Sequence, residues 1–308
     1  MHVTVAICTW NRAALLDQTL RQMQHLVIPP SVRWELIVVN NNCSDTTDSV
    51  LSKYATVLPL VRLFEQRQGH CFARNCAVRA AQGELLLWTD DDVLVDRNWL
   101  AAYVQAAEHW PQADFFGGTI DPWFEREPPA WFKRHWKITR QPYVIRQYGD
   151  ETRPLAPQES PAGANMAFRT ETLRAFPFDE RLGRVGDLLA GGDDDDVVDR
   201  MRRAGRLGIW VGGARVQHFL PADRLSRSYL RRWYFGAGIT QVRKNGKQPV
   251  PTIFGVPRWA LREYAIARAK LLMLEPVRNA AWIETFRRVH ILEGYLWAHL
   301  QKNGTWNE

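Results

Sequence analysis

The sequence predicts an α/β protein: a mostly parallel, Rossmann-like sheet with helices on both faces, followed by a helical C-terminal extension. Three observations lead there. Short continuous apolar runs alternate with amphipathic stretches through the first 100 residues, the pattern of strands covered on both sides by crossover helices. Each run stops abruptly at a polar cluster. From Ser226 onward the chain reads as mainly helical, with Arg and aromatic residues mixed.

The elements follow in order. His2–Cys8 is β-branched and apolar and ends at Thr9-Trp10-Asn11-Arg12. Leu15, Leu16, Leu20 and Met23 recur at helical spacing within Ala13–Leu26, which Pro29 and Pro30 close. Glu35–Val39 is a second strand, stopping at Asn40-Asn41-Asn42. Asp45–Tyr54 reads as a helix capped by Ser44 or Asp45. Val57–Phe64 is a third strand, and Cys71–Ala81 a helix with Ala73, Ala77 and Ala80 on one face. Leu85–Trp88 is a fourth strand, ending at Thr89-Asp90-Asp91-Asp92. In parallel sheets ligands bind beyond the carboxyl ends of the strands, and Thr9–Arg12, Asn40–Asp45 and Asp90–Asp92 all fall there. Trp110–Trp136 is rich in Pro and aromatics and reads as long loops and amphipathic pieces. A capped helix at Thr170–Phe176, a helix at about Val197–Ala204 and a strand at Gly208–Val216 complete the series. The expected organisation is an α/β domain over 1–222, with a nucleotide-binding half at 1–110 and a second half at 111–222. A basic, aromatic-rich helical region then fills 223–308.

Composition excludes several classes. With 308 residues, 46% hydrophobic and 24% charged, the chain has the mix of a soluble globular protein rather than a disordered or fibrous one. No apolar run approaches the ~20 residues that span a bilayer. No charged-then-apolar leader opens the chain, so a cytoplasmic location is expected. Cys8, Cys43, Cys71 and Cys76 fit that compartment as free thiols. Residues 203–308 hold 18 Lys or Arg against 6 Asp or Glu, whereas residues 1–202 hold 22 against 27. The basic surplus is therefore C-terminal and suits anionic partners or a solvated face.

Two acidic clusters carry chemistry. Like charges as close as Asp90-Asp91-Asp92 raise one another's pKa. A divalent cation resolves the conflict, because carboxylate oxygens suit Mg²⁺ or Mn²⁺ and leave positions open for substrate phosphates. Asp193–Asp196 follows two glycines that let backbone approach a ligand closely. One cluster can hold a metal while the other supplies a general base. His218 follows the strand at Gly208–Val216 and is a ligand only if its position in the fold allows it.

The order of these motifs resembles the family 2 nucleotide-sugar glycosyltransferases with a GT-A fold. The likeness rests on VAICTWNR (5–12), WELIVVNNNCSDTT (34–47), GHCFARNCAVRAAQGELLLWTDDDV (69–93), GANMAFR (163–169), FDERLG (178–183), GGDDDDVVDRM (191–201) and VQHFLPADRLSRSYLRRWYFGAG (216–238). It covers about residues 1–240. The resemblance implies an inverting, metal-dependent enzyme of the hexosyltransferase type. It would move a sugar from a nucleotide-diphosphate donor, a UDP-sugar by preference, to a hydroxyl of a glycan or lipid-linked glycan acceptor. Surface polysaccharide or glycoconjugate assembly is the matching setting.

Carried over by position, Thr9, Arg12, Asn40, Asn42, Asp45, Arg74, Asn75, Asp90 and Asp91 would contact the nucleotide. Asp92 and His218 would hold Mn²⁺ or Mg²⁺. Asp194 would be the base, and Gly118, Asn165 and Asp193 would line the donor sugar and acceptor. Asn40 stands where many members have Asp, and Asp193-Asp194 where they have Glu-Asp. Tyr229 replaces the Gln of the QxxRW motif that Arg232-Trp233 echoes, so processivity is not implied.

Two other classes stay open at this level. A nucleotidyltransferase also pairs aspartates with Mg²⁺, but it would carry a Gly-rich loop after the first strand, and TWNR has none. A basic nucleic-acid-binding module would explain the C-terminal arginines and leave both acidic clusters unexplained, so no nucleic-acid partner is expected. Val256–Leu300 mixes Trp259, Trp282 and Trp297 with Arg258, Arg262, Arg268, Arg278, Arg287 and Arg288. Such helices either lie on the inner face of an anionic membrane or pack on the catalytic domain or a second subunit.

Overall fold

A computed structural model describes residues 1–301 apart from Asp187 and Gln248. Residues 302–308, the end of the expected C-terminal region, lie outside the described residues.

The first half of the chain builds strands β1 (His2–Thr9), β2 (Arg33–Asn40), β3 (Leu60–Phe64), β4 (Leu85–Trp88), β5 (Val93–Val95) and β6 (Ala113–Phe124). Helices α1 (Ala13–Met23), α2 (Thr47–Tyr54), α3 (His70–Ala80) and α4 (Trp99–His109) connect them, and the short helices α5 (Ala130–Arg134) and α6 (Trp136–Thr139) follow. The second half adds β7 (Thr152–Pro154), β8 (Met166–Arg169), α7 (Thr170–Ala175), α8 (Asp193–Arg203) and β9 (Leu207–Leu220). Helix α9 (Arg227–Asn245), the hairpin β10 (Thr252–Ile253) and β11 (Val256–Pro257), and helices α10 (Arg258–Leu274) and α11 (Ala280–Leu300) complete it.

Strands β1 to β9 form one sheet in the order β3-β2-β1-β4-β8-β6-β9-β5, with β7 against β9. The expected parallel stretch is β3-β2-β1-β4. Antiparallel pairing then extends it, β8 against β4 and β6, and β9 against β5 and β7. The core explains the order. Val3, Val5 and Ile7 of β1, Leu36 and Val38 of β2, and Leu85 and Leu87 of β4 pack with Leu16, Leu20 and Met23 of α1. Each such side chain, fully removed from water, contributes about 1.5–3 kcal/mol.

Two elements depart from expectation. Trp110–Trp136 contains the twelve-residue strand β6. Phe115, Phe116 and Ile120 are buried on it among Gly117, Gly118 and Thr119, so no two-residue alternation shows in the sequence. Helix α4, which no element expected from the sequence covers, buries Trp99, Leu100, Tyr103 and Val104.

The chain divides into two compact units: Met1–Trp123 with Val144–Glu180 and Asp193–Phe219, and Phe124–Tyr143 with Arg181–Gly192 and Leu220–Glu308. The second unit thus combines the stretch from Leu220 onward with two segments from within 111–222. Aromatic packing inside that unit accounts for the first: Tyr143 stacks on Tyr229 with centroids 5.8 Å apart, and the Arg227 guanidinium lies over Trp131. Within the same unit α9 and α11 cross closely. A Cβ at Gly238 would meet Ile291 O at 2.0 Å, and one at Gly294 would meet Phe235 O at 1.9 Å. Ser226 and Asn279 cap α9 and α11 by accepting from Tyr229 N and Trp282 N.

Candidate active site

Parallel register brings the strand ends together. Thr9 pairs with Asn40, and Ala6 with Trp88, so the segments after β1, β2 and β4 leave the same edge. There Asp91 is buried. Its Oδ2 accepts from Thr9 Oγ1 at 2.8 Å and its Oδ1 from Arg12 Nη1 at 3.0 Å. Burial pushes the Asp91 carboxyl up to about 6, against the pull of Arg12. Arg12 Nη1 also donates to Asp92 Oδ2 at 3.1 Å. Thr19 Oγ1 of α1 donates to the Asp91 and Val93 carbonyls, which fixes the backbone of the acidic turn.

His218 arrives from the other end of the chain. Antiparallel pairing of β5 with β9 sets Val93 opposite His218, and Phe219 N donates to Asp92 O at 2.9 Å. His218 Nε2 therefore lies 3.4 Å from Asp92 Oδ1, both side chains buried. A carboxylate and an imidazole are an acceptable donor pair for Mn²⁺. No group of three or more His, Cys, Asp or Glu side chains suited to a metal occurs among the described residues.

The second cluster is built on α3 and the start of α8. Arg74 is 1% exposed. Its Nη1 donates to Asp193 Oδ2 at 2.7 Å and also to Asp194 Oδ1. Its guanidinium lies over Trp88 and Phe178, 5.5 and 4.9 Å from the ring centroids. A Cβ at Gly163 would meet Arg74 Nη2 at 1.9 Å, so only glycine lets this segment pass. Gly163 N in turn donates to Asp194 Oδ2 at 2.7 Å. His70 Nδ1 lies 3.3 Å from Asp193 Oδ2. Burial alone would raise the Asp193 carboxyl, but Arg74 and His70 outweigh it and hold it well below the usual carboxylate range. The Asp194 side chain is 24% exposed and that of Asp193 7%, so Asp194 is the more accessible of the pair. Asp90 is close enough to Arg74 for their charges to interact, which links the two clusters.

The other expected residues have mixed surroundings. Asn40 is buried, its Oδ1 accepting from Cys43 N and its Nδ2 donating to Asp48. Asn42 is exposed at φ 60° in the same loop. Asp45 accepts from Ala13 N and Thr47 N, so it braces the starts of α1 and α2.

Three of the expected site residues make structural contacts within the sheet and its helices. Asn75 was expected at the nucleotide, but its side chain clamps the Phe178 backbone through both N–H and C=O. Asn165 was expected at the sugar, but it is fully buried. It accepts from Trp99 Nε1 and Tyr103 OH and donates to Thr119 O and Ala214 O, which uses its full hydrogen-bonding capacity. Gly118 N donates to Asn165 O, so Gly118 belongs to that strand-packing centre too.

Two further residues shape this site. His70 is the first residue of α3, and no motif spacing in the sequence points to it. Asn41 fixes the approach to α3 by donating to Glu65 O and Arg67 O and accepting from Gly69 N.

The succinoglycan biosynthesis protein ExoM of Rhizobium meliloti (strain 1021) is 24% identical over 261 residues, 79% of this chain and 75% of that protein. Validoxylamine A glucosyltransferase of Streptomyces hygroscopicus subsp. limoneus is 31% identical over 106 residues, but these span only 34% of this chain and 23% of that enzyme. Among solved structures, the mannosyltransferase PcManGT from Pyrobaculum calidifontis in complex with GDP-Man and Mn²⁺ superposes with a TM-score of 0.54 at 21% identity, covering 96% of this chain and 71% of that one. S. aureus TarS 1-349 in complex with UDP-GlcNAc gives 0.57 at 16% identity, covering 95% and 90%. These structural likenesses show the GT-A fold. The family model described as glycosyl transferase family 2 matches residues 4–171, more than half of the sequence, and the chain belongs to that family.

Proposed function

We propose that this glycosyltransferase is inverting and metal-dependent, and that it moves a sugar from a nucleotide-diphosphate donor, a UDP-sugar, to a hydroxyl of a glycan or lipid-linked glycan. The observation that carries this is the convergence of two acidic clusters, about 100 residues apart in sequence: Arg74, paired with Asp193 and Asp194, lies over Trp88 at the end of the strand that leads into Asp90–Asp92. Neighbours of the same fold in complex with GDP-Man and Mn²⁺ or with UDP-GlcNAc support a nucleotide-sugar donor. The name of the succinoglycan relative supports a glycan product.

Thr9, Arg12 and Asp90 at the strand ends would face the nucleotide. Asp92 and His218 would hold Mn²⁺ or Mg²⁺, which supplies charge stabilisation for a leaving diphosphate. Asp194 would take the proton of the acceptor hydroxyl as its oxygen bonds to the anomeric carbon and the diphosphate oxygen leaves from the opposite face. Its exposure favours it over Asp193 for that task, and Arg74 and Gly163 N hold it in place. Fixing base and acceptor in line supplies much of the barrier reduction.

Transfer from UDP-sugars, followed by NMR of the product, tests this. The expected product has the anomeric configuration opposite to the donor's. Asp194→Asn is expected to lower kcat by roughly 10²–10⁴-fold with donor affinity kept. Retained configuration, or full activity of that variant, would contradict the assignment.

A further inference from the structure

Helix α10 stands largely bare. It buries only Ala260 and Leu271 among its 17 residues. Trp259, Ile266 and Met273 repeat every seven residues and so share one side of the helix, and all three are exposed, as is Leu272. Met273 is 78% exposed. Arg258, Arg262, Arg268 and Lys270 are exposed on the same helix. Glu263, an exposed acidic residue of α10, is already paired with Arg288. Just before the helix, the β10–β11 turn holds Phe254 at φ 51° and 94% exposed. That backbone conformation is costly for a bulky residue, and nothing within the described residues offsets it by covering the ring. Val277, just after the helix, is exposed as well.

We propose that this face, the outer side of α10 with the Phe254 turn and Val277, docks peripherally on an anionic membrane surface. The apolar side chains protrude rather than line a groove, as insertion into a headgroup layer requires. Trp and Phe favour that interfacial depth. The four exposed cations complement anionic headgroups, whereas pairing of this face with a second copy of itself would set those like charges against one another. None of the described helices is long and apolar enough to cross a membrane, so attachment by this face means lying on the surface.

Flotation of the full chain with vesicles of phosphatidylcholine and phosphatidylglycerol, or of phosphatidylcholine alone, tests the proposal. The wild type should float with the anionic vesicles at low salt and be released as salt is raised. Changing Arg258, Arg262, Arg268 and Lys270 to Gln should lower partitioning by about fivefold per charge, equivalent to about 1 kcal/mol each. The double variant Phe254→Ser with Met273→Ser should also lose binding. All these side chains are exposed, so an unchanged Tm is expected to accompany the loss. Failure of the wild type to float, binding by either variant equal to the wild type's, or a dimer in sedimentation that the same substitutions dissolve would overturn the proposal.

Discussion

A guanidinium removed from water must have its charge met inside the protein, and Arg74 finds Asp193 and Asp194. Replacing Arg74 with Met leaves two carboxylates without that partner. A loss of about 3–5 kcal/mol is expected in urea denaturation, the scale for breaking a buried pair from one side. Arg74→Lys keeps the charge but not the planar fork, so it should fall between the wild type and Arg74→Met. Asp193 adds a pH signature. Its carboxyl is held below the range of about 4 usual in unfolded chains. Its contribution is therefore fully present above about pH 4 and lost as pH falls below that, because the unfolded state then binds the proton first. Asp193→Asn should accordingly lose less stability than the wild type between about pH 4 and pH 2; an equal loss would show that Asp193 is not the titrating group. At this scale the positions of Arg12 and Asp92 just beyond strands were legible, whereas His218 lies inside β9 rather than after it. Asn75 and Asn165 were not legible, since a polar side chain that binds distant backbone looks in sequence like one that binds substrate.

Strands buried on both faces are nearly uniform in hydrophobicity, which is why β1, β2 and β4 could be placed to within about two residues. The antiparallel part had no such signal. β5 has three residues and β6 is broken by glycines, yet their pairing completes the sheet, and β5 brings His218 to Asp92. The helical C-terminal region was legible from composition, but the tight approach of α9 and α11 was not, because Gly238 and Gly294 lie 56 positions apart. Gly238→Val places a side chain against Ile291 O. It should destabilise the protein by about 1–3 kcal/mol, the usual cost of overpacking, read as a lower denaturation midpoint with an unchanged m-value. A midpoint equal to the wild type's would mean that the two helices separate at little cost.

Across the whole molecule, the N-terminal alternation supplies the edge proposed to face the nucleotide, and later segments supply the other proposed site residues: α8 the acidic pair, β9 the histidine. Sequence order hides this convergence, since Asp92 and His218 are 126 positions apart and Arg74 and Asp194 are 120 apart. Asp92 and His218 stand 3.4 Å apart at this edge; with these two as the proposed ligands, metal and nucleotide should bind as one unit and each should need the other. Calorimetric titration of UDP, with and without Mn²⁺, into wild type and Asp92→Ala measures this directly. The wild type should bind UDP tightly only with Mn²⁺, and Asp92→Ala should lose that dependence together with the tight binding. Tight, Mn²⁺-dependent UDP binding by Asp92→Ala would contradict the placement of the metal between Asp92 and His218.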